Sequence, residues 1–429
     1  MRLALFVLQF FVLQLLVCQE SILFKGGTIH VGNGAKINKG LIGVEGDEII
    51  LMTNALTYTI DESEWDTIID VYGKHVYPGF FALNSTLGLT EIDAVRATND
   101  FREIGVFNPH VRALIAFNAE SEVSSTVKTN GVLYAQATPK GGIISGSSSV
   151  MELEAWNWED AVVKKDDGIH LHWPSALQGG GWWAEPKPKE KNKNYSSKMK
   201  LIHDFFSAAK SYSDKSGDFD QRFEAMKGLF SGEQRLYFHA NELKALIDVV
   251  DFIEMFDIQH PVIIGGYDAP LVVRELRDNN IPVIIKGGHS LPRNDDDPVD
   301  LPYRLPKILS DAGILFSIQH AGSMEAMNSR NIPFLAGTAM AYGLSEEEAV
   351  ASVSLNAAKI LGLEKELGSL EKGKIASLFV SEGNALDMRT NQVVVAMIAG
   401  RFVNLNNRQF ELYERYKAKY DAQKKKQSP

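Results

Sequence analysis

The sequence predicts an α/β protein in which a central domain of parallel strands and helices is flanked by two halves of one small β-module. Three observations carry that reading. Between Leu236 and Ser317, fully apolar strand-length runs alternate with helix-period stretches, as parallel strands buried on both faces require. Both ends of the chain instead show short β-branched runs punctuated by Gly and Asn: ILFKGGTIHVGNG and GLIGVEGDEIILM from Ile22, then IASLFV and VVVAMIAGRFV after Gly368. The length of 429 residues, with 45% hydrophobic and 23% charged side chains, allows a large core and excludes a low-complexity chain.

Residues 1–19 read as a secretory signal peptide: Arg2, an apolar run from Leu3 to Val17 broken by Gln9 and Gln14, and a polar exit. The run is shorter than a membrane-spanning helix needs, although an uncleaved anchor is the alternative. Leu15-Leu16-Val17-Cys18 faintly resembles a lipoprotein box, which leaves lipid anchoring at Cys18 as a further alternative. Cleavage near Cys18 or Gln19 would remove the single cysteine and deliver a secreted or periplasmic protein with no exposed thiol. No later segment approaches spanning length.

In the central domain, LYFH precedes a helix whose expected buried face is Leu243, Leu246, Ile247, Val250 and Ile253. PVIIGG leads into PLVVRELRDNN, IPVIIKGG into a Pro-rich loop and LPKILSDAG, and GILFSI follows. Ser345 with Glu348 forms a capping box, and Gly362 follows a helical run ending at Leu361. The stretch Gly179–Lys198 has no period and reads as a long surface loop, whose Trp182-Trp183 pair either closes over a ligand or packs the loop down. The tail from Tyr413 reads as a helix fraying into a basic end.

Lys and Arg number 44 against 54 Asp and Glu, a net charge of −10, which has the wrong sign for a nucleic-acid binder. One cysteine rules out Cys-rich metal sites, so any metal must be held by His, Asp, Glu or a modified Lys. There is no GxGxxG or GxxxxGK[ST] phosphate loop, and the Gly141-Gly142 and Gly287-Gly288 pairs are isolated. The acidic run Asp295-Asp296-Asp297 lacks the spacing of a calcium loop and reads as solvated charge. Asn84-Ser85-Thr86 and Asn194-Tyr195-Ser196 fit the N-glycosylation pattern, the first in a poorly accessible place.

Three segments together resemble the amidohydrolase superfamily, in its imidazolonepropionase-like branch. They are VYGKHVYPGFFALNSTLGLTEIDAVRATND, FHANE at Phe238–Glu242, and YGLSEEEAVASVSLNAAKILGLEKELGSLEKGKIASLFV. The resemblance spans essentially the whole mature chain. It implies a (β/α)₈ TIM-like barrel with a composite β-sandwich and a site at the carboxyl ends of the barrel strands. The corresponding boundaries are 20–77 for the first part of the sandwich, 78–365 for the barrel, 366–411 for the second part, and 412–429 for a helix and basic tail.

The resemblance also implies a divalent metal that polarises a carbonyl and generates hydroxide, held by HxH on the first strand, a carboxylated Lys or Glu on the fourth, His on the fifth and sixth, and Asp on the eighth. Here the first pair falls on Asn84 and Thr86, and the fifth-strand His on His239. The sixth position falls at Gly265-Gly266 and the eighth at Gln319 and His320. The fourth-strand ligand is not placed. His170 and His172 in GIHLHWP share a side if they lie on a strand, but stand out of the family order and read first as a polar face. His289 follows an apolar strand, so it falls where barrel enzymes keep functional groups.

The expectation is therefore a hydrolase acting on a non-peptide C–N bond, a cyclic amide or small N-acyl compound. His239 and His289 are its candidate catalytic residues, with Asn84, Thr86 and His320 in the pocket. At most one weakly held divalent ion, zinc, manganese or iron, is expected, on His239 with His289 or His320. The alternative is a pseudoenzyme that uses the pocket to bind a small molecule. A homodimer is left open; no nucleic-acid partner and no membrane span are expected.

Overall fold

The computed structural model describes residues 20–427 except 183–184, 214–217, 321 and 323; residues 1–19, on which the expected signal peptide and Cys18 fall, lie outside the described residues. The chain begins in a sheet: β1 (Ser21–His30) runs antiparallel to β2 (Lys36–Glu45), and β2 to β3 (Glu48–Asn54). On the other edge of β1, β4 (Thr67–Asp70) pairs in parallel with Ile22–Lys25, and β5 (His75–Pro78) with Thr28–Ile29. Sharing one strand edge between two partners splits the sheet and lets it close over its own apolar side chains.

The barrel follows at once. Its strands are β6 (Phe80–Ser85), β7 (Val132–Ala137), β8 (Ile144–Glu152) and β9 (Val162–His172). A hairpin of β10 (Leu177–Trp182) and β11 (Glu185–Lys191) projects next. The barrel then resumes with β12 (Arg235–Ala240), β13 (Pro261–Gly265), β14 (Val283–Lys286) and β15 (Phe316–Gln319). The ladder runs from β6 through β15 in chain order, skipping the projecting hairpin. Among the described residues no ladder closes β15 onto β6; instead Asn84 Nδ2 donates to Gln319 Oε1 across the seam at 2.7 Å. This is the expected barrel with one departure, since β8 runs antiparallel to both β7 and β9. The link from Thr138 to Ile143 is too short for a helical crossover, so the chain can only reverse. Gly141 and Gly142 make the reversal with φ of 93° and 70°, and a Cβ on Gly142 would meet Val106 O at 2.9 Å.

The chain ends by returning to the first sheet. Strand β16 (Leu378–Ser381) pairs antiparallel with β5, followed by β17 (Val393–Ile398) and β18 (Arg401–Phe402). Both chain ends thus share one eight-stranded sheet, with Phe24, Ile42, Val44, Val76, Leu378 and Val380 in a common core. Phe379 joins sheet to barrel, stacked on Tyr77 at 5.3 Å and edge-on to Phe80 at 4.9 Å.

Two local expectations change. The helix Leu243–Phe256 buries Leu246, Val250 and Ile253, but Leu243 and Ile247 face solvent while Ala245, Val249, Phe252 and Phe256 turn inward. Phe252 rotates the buried face, because it meets Trp173, Phe206 and Phe238 edge-on, an aromatic cluster that outweighs two aliphatic contacts. The expected loop at Gly179–Lys198 is largely the β10–β11 hairpin and the start of a helix at Tyr195–Ser213. A two-stranded ribbon is all edge, so it tolerates Pro186 and Pro188 and shows no apolar alternation to read. Trp183 lies outside the described residues. The capping box at Ser345 and the left-handed Gly362 cap are both present.

Candidate functional site at the barrel mouth

Strands β9 and β12 are neighbours in parallel register, with His172 opposite His239. Side chains two apart share a face of a strand, so His170, His172 and His239 converge at the carboxyl ends. His170 is fully buried, and its Nδ1 lies 3.0 Å from His239 Nε2. The His172 ring stacks on His239 with centroids 4.1 Å apart, while His170 stacks on Tyr237 at 4.5 Å. The Nε2 atoms of His170 and His172 are buried without a hydrogen-bond partner. Desolvation, then the charge of Lys140, lowers the pKa of His170 well below the ordinary value and that of His172 to about 4. His239 is also held well below, by burial and then by its two neighbours and Lys140. All three imidazoles are neutral at pH 7.

Beneath them lies a charged floor. Tyr237 donates to Asp167, which also accepts from Gln136 Nε2 at 3.2 Å and lies within 3.3 Å of Lys164 and 3.5 Å of Arg235. Gln136 Oε1 accepts from the backbone N–H of Asn84 at 3.0 Å, which ties the floor to the end of β6.

Opposite the histidines, Asn84 sits in the left-handed region with φ of 49°, a conformation asparagine tolerates better than most residues. Lys140, on the β7–β8 reversal, donates to Asn84 Oδ1 at 2.7 Å and to Asn84 O at 3.1 Å. Its ammonium stands 3.7 Å from Glu325 Oε1, with the side chain 17% exposed. Burial lowers its pKa from the ordinary lysine value, and Glu325 works against that shift.

Thr86 is buried and its hydroxyl has no hydrogen-bond partner; Gln319 is buried at the end of β15. His320 is half-buried with Nδ1 unpartnered, and burial lowers its pKa. His289 is exposed, paired through Nε2 with Thr338 Oγ1 at 2.7 Å. With Lys286, Gln319 and His320 it lines a cavity of about 160 Å³. Among the described residues no hydrogen bond or ring contact joins His289 or His320 to His239; the expected pairing gives way to His170 and His172. The strand count explains why. With β8 included, β9 is the fourth strand, so GIHLH stands in family order next to the fifth-strand His239. Lys140 went unseen because a lysine beside two glycines reads as solvated loop; the glycine pair was the available signal.

A second histidine group lies where β1 and β5 meet the helix Glu346–Val353. His30, fully buried, holds Glu347 Oε1 through Nδ1 at 2.7 Å and His75 Nδ1 through Nε2 at 2.9 Å. Among the described residues, His30, Glu346 and Glu347 are the one group of three potential metal ligands whose atoms fall within 4.8 Å of one another.

Residues 219–403 match the model of the Amidohydrolase family. The fold is similar to that of an amidohydrolase from Thermotoga maritima MSB8, at 24% identity and a TM-score of 0.76 over 89% of this chain and 99% of that one. It is also similar to molinate hydrolase, at 14% identity and 0.54 over 90% of this chain and 95% of that one. A prolidase complexed with N-methylphosphonate-L-proline gives 14% and 0.54 over 90% and 99%. A comparison with curated proteins finds no match. Members of the family typically bind a divalent metal, and the positions implied for its ligands fit one poorly here. Asn84 and Gln319 are neutral amides bonded to each other, and the oxygen that Asn84 could offer an ion already receives the Lys140 ammonium. The chain thus resembles the Amidohydrolase family over residues 219–403, and it shares with these solved structures the fold of a barrel that carries a sheet built from both chain ends.

Proposed function

We propose that the barrel mouth hydrolyses a carbon–nitrogen bond other than a peptide bond, in a cyclic amide or small N-acyl compound, without a binuclear metal centre. The observation that supports this reading is the trio of neutral histidines at the carboxyl ends of β9 and β12, two of whose buried Nε2 atoms have no partner. A buried imidazole nitrogen left unpaired is costly, and water or a ligand is its natural complement. A neutral imidazole at this position accepts a proton from water as the water oxygen attacks the carbonyl carbon. With the C–O bond formed, the same proton passes to the departing nitrogen as the tetrahedral adduct collapses and the C–N bond breaks, releasing acid and amine and restoring the neutral imidazole. Desolvated imidazoles with lowered pKa are weak bases, which favours activated amides such as strained rings over ordinary ones.

A second reading, ligand binding without turnover, draws support from Asn84, whose side chain is already committed to Gln319 and Lys140. The signal-peptide pattern of residues 1–19 supports secretion or periplasmic export of the mature chain. Among the described residues no helix is long and apolar enough to cross a membrane. The test is a panel of cyclic amides and N-acyl compounds assayed for release of the free amine, using protein purified without chelator and with its metal content measured. Turnover at low metal content supports the hydrolase. Ligands that raise the melting temperature but are never cleaved support the binding reading and overturn the first.

A further inference from the structure

Positions that the family resemblance assigns to metal ligands are occupied here by groups that bind a cation belonging to the chain itself. Asn84 presents both its side-chain and backbone oxygens to the Lys140 ammonium, at 2.7 and 3.1 Å. Asn84 is in turn fixed by Gln319 Oε1 at 2.7 Å and, through its own N–H, by Gln136 at 3.0 Å. Lysine offers three N–H donors. Two are used on Asn84, and the third is left to a long ion pair with Glu325 Oε1 at 3.7 Å. Burial is the main reason that His170, His172 and His239 stay neutral, and the ammonium adds to it. The Gly141-Gly142 reversal, which a Cβ on Gly142 would obstruct, is what brings the residue before it over the barrel.

We propose that the Lys140 ammonium takes the place of the divalent ion at this barrel mouth, as a fixed cation whose third N–H exchanges its long contact with Glu325 for the carbonyl or carboxylate oxygen of a small ligand. This rests on the barrel mouth being the functional site. An ammonium held by Asn84 carries half the charge of a divalent ion but cannot be lost to a chelator. It also repels a second cation from the neighbouring histidines, of which His170 Nδ1 and His239 Nε2 stand 3.0 Å apart.

The experiment is calorimetric titration of the full chain with zinc ion, comparing wild type, Lys140→Met, and Lys140→Met combined with His170→Ala. The expected result is at least tenfold tighter zinc binding in Lys140→Met than in wild type, with the gain removed by His170→Ala. Equal affinity in wild type and Lys140→Met, or a gain that survives loss of His170, overturns the proposal. Lys140→Gln keeps a hydrogen bond to Asn84 and replaces the Met variant if that one does not fold. In wild type alone, the imidazole ¹⁵N signals of the three histidines should be unmoved by zinc below millimolar concentration; movement overturns the proposal. Acetate tests the ligand half: its binding, followed by the same signals, should be at least tenfold weaker once the ammonium is gone, and equal binding overturns that half. Neither readout depends on turnover, so a protein that hydrolyses nothing leaves this inference intact, and its failure leaves the hydrolase reading to its own assay.

Discussion

Two groups of buried histidines occupy this chain, and their neighbours carry opposite charge. At the barrel mouth His170, His172 and His239 feel the charge of Lys140, and among the described residues no carboxylate hydrogen-bonds to any of their nitrogens. At the junction of sheet and barrel, His30 is clamped by Glu347 and backed by His75 and Tyr77, the last stacked on it at 4.3 Å. The junction group is internally satisfied at both His30 nitrogens, which is what a structural histidine looks like. The mouth group is left with open nitrogens, which is what a site waiting for a ligand looks like. Burial alone does not separate the two; partner charge and completeness of hydrogen bonding do.

Substitution should break the two groups differently, and the largest contrast lies in function. His239→Ala should lower kcat/KM, or ligand affinity under the binding reading, by on the order of a hundredfold. It should cost only about 1 kcal/mol of stability, because the side chain makes one hydrogen bond. His30→Ala should do the reverse, leaving kcat/KM intact and costing about 3 kcal/mol, since Glu347 and His75 lose their partner in a largely buried place. Urea denaturation and steady-state kinetics on both variants decide the matter. If His30→Ala loses function at full stability, the contrast is mistaken.

Acid should separate the groups next. His172 has a folded pKa of about 4, below the ordinary value of 6.5, so between those limits the unfolded chain binds more protons than the folded one. Stability is therefore full above pH 6.5 and falls as pH drops toward 4, by on the order of 3 kcal/mol from His172 alone. His170 and His239, also lowered, deepen the loss. His172→Gln cannot titrate, so its unfolding free energy should fall less between pH 7 and pH 4.5 than that of wild type. An identical slope in both would show that the acid loss comes from elsewhere.

The contrast also shows how far the sequence could be read. Apolar runs such as PVII, PVII and ILFSI announce β13, β14 and β15 because strands buried on both faces leave no alternative pattern. His239 was legible for the same reason, standing at the end of such a run. His170 and His172 carry the same local signal, but their place in the family order depends on the course of β8. Its antiparallel course follows from a short loop that no periodicity reports. For Lys140 the glycine pair is the one local signal, since its contact with Asn84 joins residues 56 apart in sequence that the pairing of β6 with β7 brings together. The His30–Glu347 contact, 317 residues apart, is hidden in the same way.

The smallest expected effect concerns how the junction carboxylates are aimed. Glu346 and Glu347 occupy the first turn of the helix Glu346–Val353, whose start is set by the Ser345 capping box. Ser345 Oγ accepts from the backbone N–H of Glu348 at 3.2 Å, and Glu348 Oε2 accepts from the N–H of Ser345 at 2.8 Å. Ser345→Ala removes the first of these bonds and should cost about 1 kcal/mol, read as a lower urea midpoint at unchanged slope. The frayed first turn would also loosen Glu347, so the loss should shrink in a His30→Ala background, where that carboxylate no longer has a partner to hold. Strict additivity of the two substitutions would mean that the cap and the histidine act independently, and that Glu347 is held in place by His30 rather than by the start of its own helix.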